Sequence, residues 1–334
     1  MLGGRARTLL SAAIGELHDT LPPDDYFRLQ AEVVQADLLE LEQHFEESRE
    51  LSLRVLPVLE GALGADHALS HQLRLNLAIC ELWLDRPERA EELFRADLAR
   101  YRARGDLEGT RASRRDLHHW LGSCLTARLL PDEALEELET ALELGRGTGL
   151  SEATIHLDIG RVWMMLSEPG EAVESFARAR ALQEASGPST SNEFAIALAM
   201  ADALRRTGRH EGARAELERA ASALARGWSE PGLRHLYLGE QRAHLALDTG
   251  SPAEAERLAL ANLELARAQS REESLMAAGA LQIIARARLE LGRPAEALPV
   301  ARECLELIER LGATGGMRYE QARETLARAQ AALD

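Results

Sequence analysis

The apolar residues of this chain recur at helical spacing. Leu135, Leu138, Ala141 and Leu142 follow the i, i+3, i+4 rule that lines one helical face, and Leu258, Ala259, Leu263 and Ala266 do the same. After Ser151, the positions Ile155, Ile159, Val162, Trp163 and Leu166 predict another helix. A short pattern punctuates these runs: a turn, then Pro or a substitute, two residues, and Ala. It ends at Ala90, Ala134, Ala172, Ala213, Ala255 and Ala297, with a degenerate first copy ending at Ser48. The steps between these ends are 42, 44, 38, 41, 42 and 42 residues. Pro in a first helical turn loses no needed N–H and has its φ preset. The Glu that often follows favours the positive end of the helix dipole. Gly208, Gly250 and Gly292 lie five residues before the repeated Ala, where a left-handed residue ends the preceding helix.

Each unit therefore reads as helix A, a tight turn, helix B and a loop. The expected architecture is all-α: an α-solenoid, a right-handed superhelix of about seven helix pairs with terminal capping helices. The expected boundaries are a capping helix over 1–21, repeats over 22–64, 65–105, 106–149, 150–187, 188–228, 229–269 and 270–312, and a second cap over 313–334.

Leu121-Gly122 with Leu125, and Ile159-Gly160 with Trp163, resemble the large–small–large signature of tetratricopeptide repeat (TPR) helix A. Phe94 and Phe176 sit four residues after the repeated Ala, and Ala141, Ala179 and Ala220 seven after it, as that family prefers. The unit is longer than the common TPR unit. It is similar to those of kinesin light chain, whose interrepeat loop Leu63-Gly64-Ala65-Asp66-His67 resembles, and to TPR sensor regions of bacterial signalling regulators.

Composition agrees with helices: 46% of residues are hydrophobic but only 4% aromatic, and Ala and Leu dominate. The formal charge of −16 disfavours direct binding of nucleic acid or anionic membrane. Cys80, Cys124 and Cys304 fit no disulfide framework and read as small buried residues, which points to a reducing cytoplasm, and the resemblance to bacterial regulators implies a bacterial protein. No signal peptide or membrane span is expected.

Every basic residue is Arg, and Lys is absent. That removes the Walker A lysine, the kinase lysine and any Schiff-base amine. No metalloprotease, dinucleotide or nucleophile-elbow motif occurs. The chain reads as a non-enzyme with no catalytic residue, cofactor or metal. His67 and His71 share a helical face, but two ligands are too few for a metal site, and they fit a helix start behind Asp66 as N-cap. An Arg cluster at 100, 102, 104, 111, 114 and 115, diluted by Asp97, Asp106 and Glu108, reads as a solvated loop in preference to an anion or partner patch.

In the family that the chain resembles, helix A lines the inner groove. Carried over, the resemblance gives Asn76, Trp83, His119, Trp120, Asp158, Met164 and Met165, an N-terminal half made aromatic and aliphatic by Trp83, Trp120, Met164 and Met165. It gives Arg161, Asp202, Arg205, Arg206, Tyr237, Gln241, His244, Gln282 and Arg286 as a polar, Arg-rich half. Glu240, Asp248 and Glu290 share the register. The competing reading packs Trp83 and Trp120 between helices and pairs the arginines with Asp158, Asp202 and Glu290. The functional expectation is a protein–protein interaction scaffold whose concave groove binds a protein or peptide segment bearing an acidic group. The alternative is a regulatory sensor module of a transcription activator, kinase or ATPase. An exposed terminal helix face is also able to pair two copies as a homodimer.

Overall fold

The computed structural model describes residues 13–17, 19–105, 110–146, 150–187, 189–228, 230–314 and 317–333; side chains at 150 and 151 are excepted. Fifteen complete helices run among these residues. They pair as α1 (Tyr26–Leu41) with α2 (Phe45–Leu63), α3 (Ala68–Trp83) with α4 (Pro87–Ala103), and α5 (Arg111–Ala127) with α6 (Pro131–Gly145). Then come α7 (Leu150–Met165) with α8 (Pro169–Ser186), α9 (Thr190–Arg206) with α10 (His210–Gly227), and α11 (Leu233–Asp248) with α12 (Pro252–Ala268). The series ends with α13 (Leu275–Glu290), α14 (Pro294–Arg310) and α15 (Met317–Ala331). The described residues contain no strand, and the fold is an all-α solenoid of TPR-like helix pairs.

The repeated sequence pattern explains where the helices turn. Pro87, Pro131, Pro169, Pro252 and Pro294 each open a B helix. The residue five before each repeated small residue has positive φ in all seven turns: Gln43, Asp85, Leu129, Ser167, Gly208, Gly250 and Gly292. The next residue's N–H then reaches back to the helix, as in Arg86 N to Glu81 O and Ser251 N to Ala246 O, at 2.9 and 2.8 Å. This is the Schellman closure, which satisfies carbonyls the helix end leaves open. Ser48 and all six repeated alanines are fully buried. A larger side chain there would hold the helices apart. Gly122 serves the same close approach, since a Cβ on it would lie 2.6 Å from Leu138 Cγ.

The chain divides into two compact units, Met1–Val162 and Trp163–Asp334. In the first, Leu29, Val33, Leu51, Val55, Leu59 and Leu73 form a core across α1, α2 and α3. In the second, Leu236, Leu247, Ile283, Ile284, Leu307 and Ile308 pack among the alanines of α11–α14. Each such branched side chain contributes roughly 1.5–3 kcal/mol when fully buried. Within each unit consecutive helices pack together, and A helices also touch the next A helix, as in α1 with α3 and α11 with α13.

Two local expectations are corrected. Asp66 does not cap α3; His67 does, its Nδ1 accepting from Leu69 N at 3.2 Å, because the helix begins one residue later. Asp97 does not dilute the arginine loop. It lies on the inner face of α4, only 2% exposed, and engages His71 and Arg74.

Candidate functional site

In the second unit, three A helices and α15 surround a cavity of about 460 Å³. α9 contributes Asp202, Arg205 and Arg206; α11 contributes Glu240, Gln241 and His244; α13 contributes Gly279, Gln282 and Arg286. These come together because Asp202, His244 and Arg286 each stand eleven residues before a repeated Ala and so point from successive helices in one direction. Seven residues expected from the sequence converge here; Tyr237 is about one-third exposed on α11 but lies outside the lining. Met317, Arg318 and Gln321 of α15 also line it and were not foreseen, since α15 lies beyond the last repeated Ala and the register assigns it no face.

Charge is tightly organised in this cavity. Asp202 accepts from Arg205 at 2.6 Å and Arg206 at 3.1 Å, and Arg205 also reaches Asp248 at 2.6 Å. Burial alone would raise the Asp202 pKa, but the two guanidiniums outweigh it and hold it below the usual carboxylate range. Glu240 pairs with Arg318 at 3.0 Å across Gly279, where a Cβ would sit 2.5 Å from Glu240 Oε1. Gln282 donates to Thr325 Oγ1 and Gln321 O on α15, at 2.8 and 3.0 Å. Burial, then the nearby Arg205 and Arg286 charges, push His244 down to about 3, so it stays uncharged at neutral pH. Four guanidiniums thus face two lining carboxylates in a chain of net charge −16.

The first unit uses its expected site residues differently. Asn76 is 2% exposed and donates to Asp37 of α1, so its amide ties adjacent A helices together. His119 Nε2 meets Asp158 Oδ2 at 2.8 Å, and Arg161 reaches the other oxygen at 2.7 Å. Burial works against ionisation of Asp158, yet the His119 bond and the Arg161 charge keep its pKa low. Trp120 is half-buried beside His119, their ring centres 5.7 Å apart. Trp83 is 59% exposed and stacks on Phe45 with ring centres 5.6 Å apart and planes 9° apart. Met164 and Met165 are half-buried and fall in the second unit.

The other candidates are structural in their contacts. His71 touches Asp97 at 3.1 Å and stacks on Tyr101, while His118 meets Glu137 at 2.6 Å. The three cysteines are free and buried, and burial pushes Cys80 and Cys124 up to about 11 and Cys304 up to about 12. From the loop cluster, Arg111 donates to Leu144 O and Glu143 O at the end of α6, and Arg104 lies 3.8 Å from Asp66. Asp106 and Glu108 fall outside the described residues. Among the described residues, no helix is long and apolar enough to cross a membrane.

No protein-family model matches the chain. No curated protein matches it either. Solved structures do. A Rap protein complexed with competence and sporulation factor is 15% identical with a TM-score of 0.63, covering 97% of this chain and 79% of that one. A tetratricopeptide repeat protein from Parabacteroides merdae is 14% identical with a TM-score of 0.56, covering 90% and 98%. BtubC (BKLC) from P. vanneervenii is 17% identical with a TM-score of 0.55, covering 70% and 95%. The fold is that of a tetratricopeptide repeat protein and is shared with the Rap protein.

Proposed function

We propose that this chain, which has the TPR fold, is a protein-interaction scaffold that binds a segment of a partner protein along its A-helix faces. Binding, not catalysis, is its work, and the partner segment carries an acidic group. The observation that carries this reading is the second-unit cavity, where side chains at repeated register positions of α9, α11 and α13 meet around an arginine surplus. Concave sites with a few convergent polar groups are the usual form of a ligand site. The exposed Trp83 stacked on Phe45 supports an apolar contact in the first unit, because Trp is among the residue types enriched at binding hot spots. The proposed organisation is seven helix pairs between terminal caps, in the cytoplasm of a bacterium.

Capture from the source lysate tests the scaffold. Wild type is compared with Trp83→Ala and with Arg205→Ala, each shown to be folded by circular dichroism. Loss of the same captured protein in both is the expected result; unchanged recovery in both sinks the assignment. The sensor alternative is favoured by one observation, the likeness to a Rap protein solved in complex with competence and sporulation factor. It predicts a native gene product that joins this array to a DNA-binding, kinase or ATPase segment.

A further inference from the structure

We propose that the second-unit cavity binds one carboxylate of an acidic peptide segment, with Arg286 as its principal ligand. This rests on the partner-segment reading above and narrows it to one chemistry. The distribution of charge partners carries it. Asp202 is shared by Arg205 and Arg206, Arg205 also holds Asp248, and Glu240 holds Arg318. Arg286, on the cavity wall, has no hydrogen bond or ion pair with any described residue. Three acids therefore stand against four guanidiniums, and one positive charge is left over.

One surplus charge matches one carboxylate. A phosphate dianion would need a second free cation, and His244 does not supply it, because burial and the adjacent arginines keep it neutral. A planar guanidinium also suits the two oxygens of a carboxylate. The size of the cavity argues for a peptide over a small acid. A free carboxylate fills little of 460 Å³, whereas an acidic side chain with its adjoining backbone is of the right scale. Gln241 Oε1 and Arg205 Nε are both buried without a hydrogen-bond partner, which leaves capacity for polar atoms of a bound chain. Met317 at the wall is half exposed and offers an apolar surface beside the charge, suited to the methylenes of a glutamate. The chain as a whole carries −16 and repels anions, so binding of an acidic chain must be local to this surplus.

Fluorescence anisotropy at low ionic strength tests the site on the full chain, with a fluorescein-labelled hexaglutamate peptide as probe. Hexaglutamate binds, and an isosteric hexaglutamine peptide binds at least about tenfold more weakly. Arg286→Gln weakens hexaglutamate by about tenfold. Glu240→Gln has the opposite effect: it releases Arg318 and tightens binding severalfold. Equal binding of the two peptides, or no binding of hexaglutamate, overturns the proposal. So does indifference to Arg286→Gln in a variant that melts like wild type. Should Arg286→Gln not fold, Glu240→Gln decides alone, and no gain in affinity overturns it. Displacement of the probe by inorganic phosphate at lower concentration than by glutarate also overturns it, in favour of a phosphate site. If hexaglutamate fails while partner capture still depends on Trp83 and Arg205, the carboxylate pocket falls and the scaffold stands.

Discussion

The two units use the same helix register for opposite ends. Eleven residues before the repeated small residue, the second unit places Asp202, His244 and Arg286 around one cavity, whereas the first places Asp37, Ile79, Ser123 and Arg161. Asp37 is consumed by Asn76, and Ser123 donates to Asp158 at 3.3 Å. Seven residues before it, the first unit carries Leu41, Trp83 and Ala127, and the second carries Met165, Arg206, Asp248 and Glu290. In the first unit Asp37, Asn76, Ser123 and Asp158 are spent on bonds between helices while Trp83 is left exposed; the second unit leaves charge lining a cavity. A repeat fixes where a side chain stands, and the neighbouring helix decides whether it is a strut or a ligand.

The largest expected effect separates a buried acid from a cavity acid. Asp97 is nearly inaccessible, and its loss takes the carboxylate from buried His71 and leaves buried Arg74 only the partly exposed Glu60 as a charge partner. Asp97→Ala should therefore cost about 3 kcal/mol in urea unfolding, the scale of losing buried hydrogen bonds to a charged group while Glu60 still compensates Arg74 in part. Asp202→Ala leaves Arg205 still paired with Asp248 beside an open cavity, and should cost about 1 kcal/mol. Equal losses from the two would show that the distinction between strut and ligand is false.

pH provides a second contrast, bounded at about 1.4 kcal/mol per pH unit for a single proton. In the first unit, burial and then the Asp37 charge raise Glu40 from 4.5 to about 7. The fold thus holds that proton more tightly than the unfolded chain. Its contribution is complete below pH 4.5 and is lost as pH rises through about 7. In the second unit, His244 is lowered from 6.5 to about 3, so its contribution is complete above pH 6.5, declines below it and is lost as pH falls through about 3. Hydrogen exchange, corrected for intrinsic rate, should show α1 less protected at pH 7.5 than at 5.5, and α11 the reverse. Glu40→Gln should abolish the α1 difference. A shift in the same direction in both helices contradicts this account.

The repeat was almost wholly legible in the sequence, for a physical reason. Pro at the first turn, a small residue at the contact and helical spacing are all local, and the fully buried alanines obey them. The second-unit cavity was legible for the same reason, since one register position was enough to bring Asp202, His244 and Arg286 together. What escaped depends on partners in other repeats. Nothing local reveals that Asn76 is spent on Asp37, or that Asp97 turns inward to Arg74 instead of joining the arginine loop. Arg318 escaped because α15 has no repeated Ala to fix its face, so its bond to Glu240 had no sequence signal.

The smallest expected effect concerns the turns, where backbone geometry is the same and sequence is not. Gln43, Asp85 and Leu129 hold the left-handed position in the first unit; Gly208, Gly250 and Gly292 hold it in the second, after Ser167. A Cβ in this conformation costs roughly 1–2 kcal/mol, while glycine costs about 0.5–1 kcal/mol in extra chain entropy. Leu129→Gly should therefore raise stability by up to about 1 kcal/mol, the more so because the Leu129 side chain is 66% exposed and little packing is lost. Gly250→Ala should lower stability by about 1 kcal/mol, although its new Cβ meets nothing within 4 Å. Ser167→Gly distinguishes backbone from unit: it should stabilise like Leu129→Gly although it lies in the second unit. If its sign instead follows that of Gly250→Ala in urea unfolding, the four non-glycine turns are not strained, and the difference between the units is one of side chains alone.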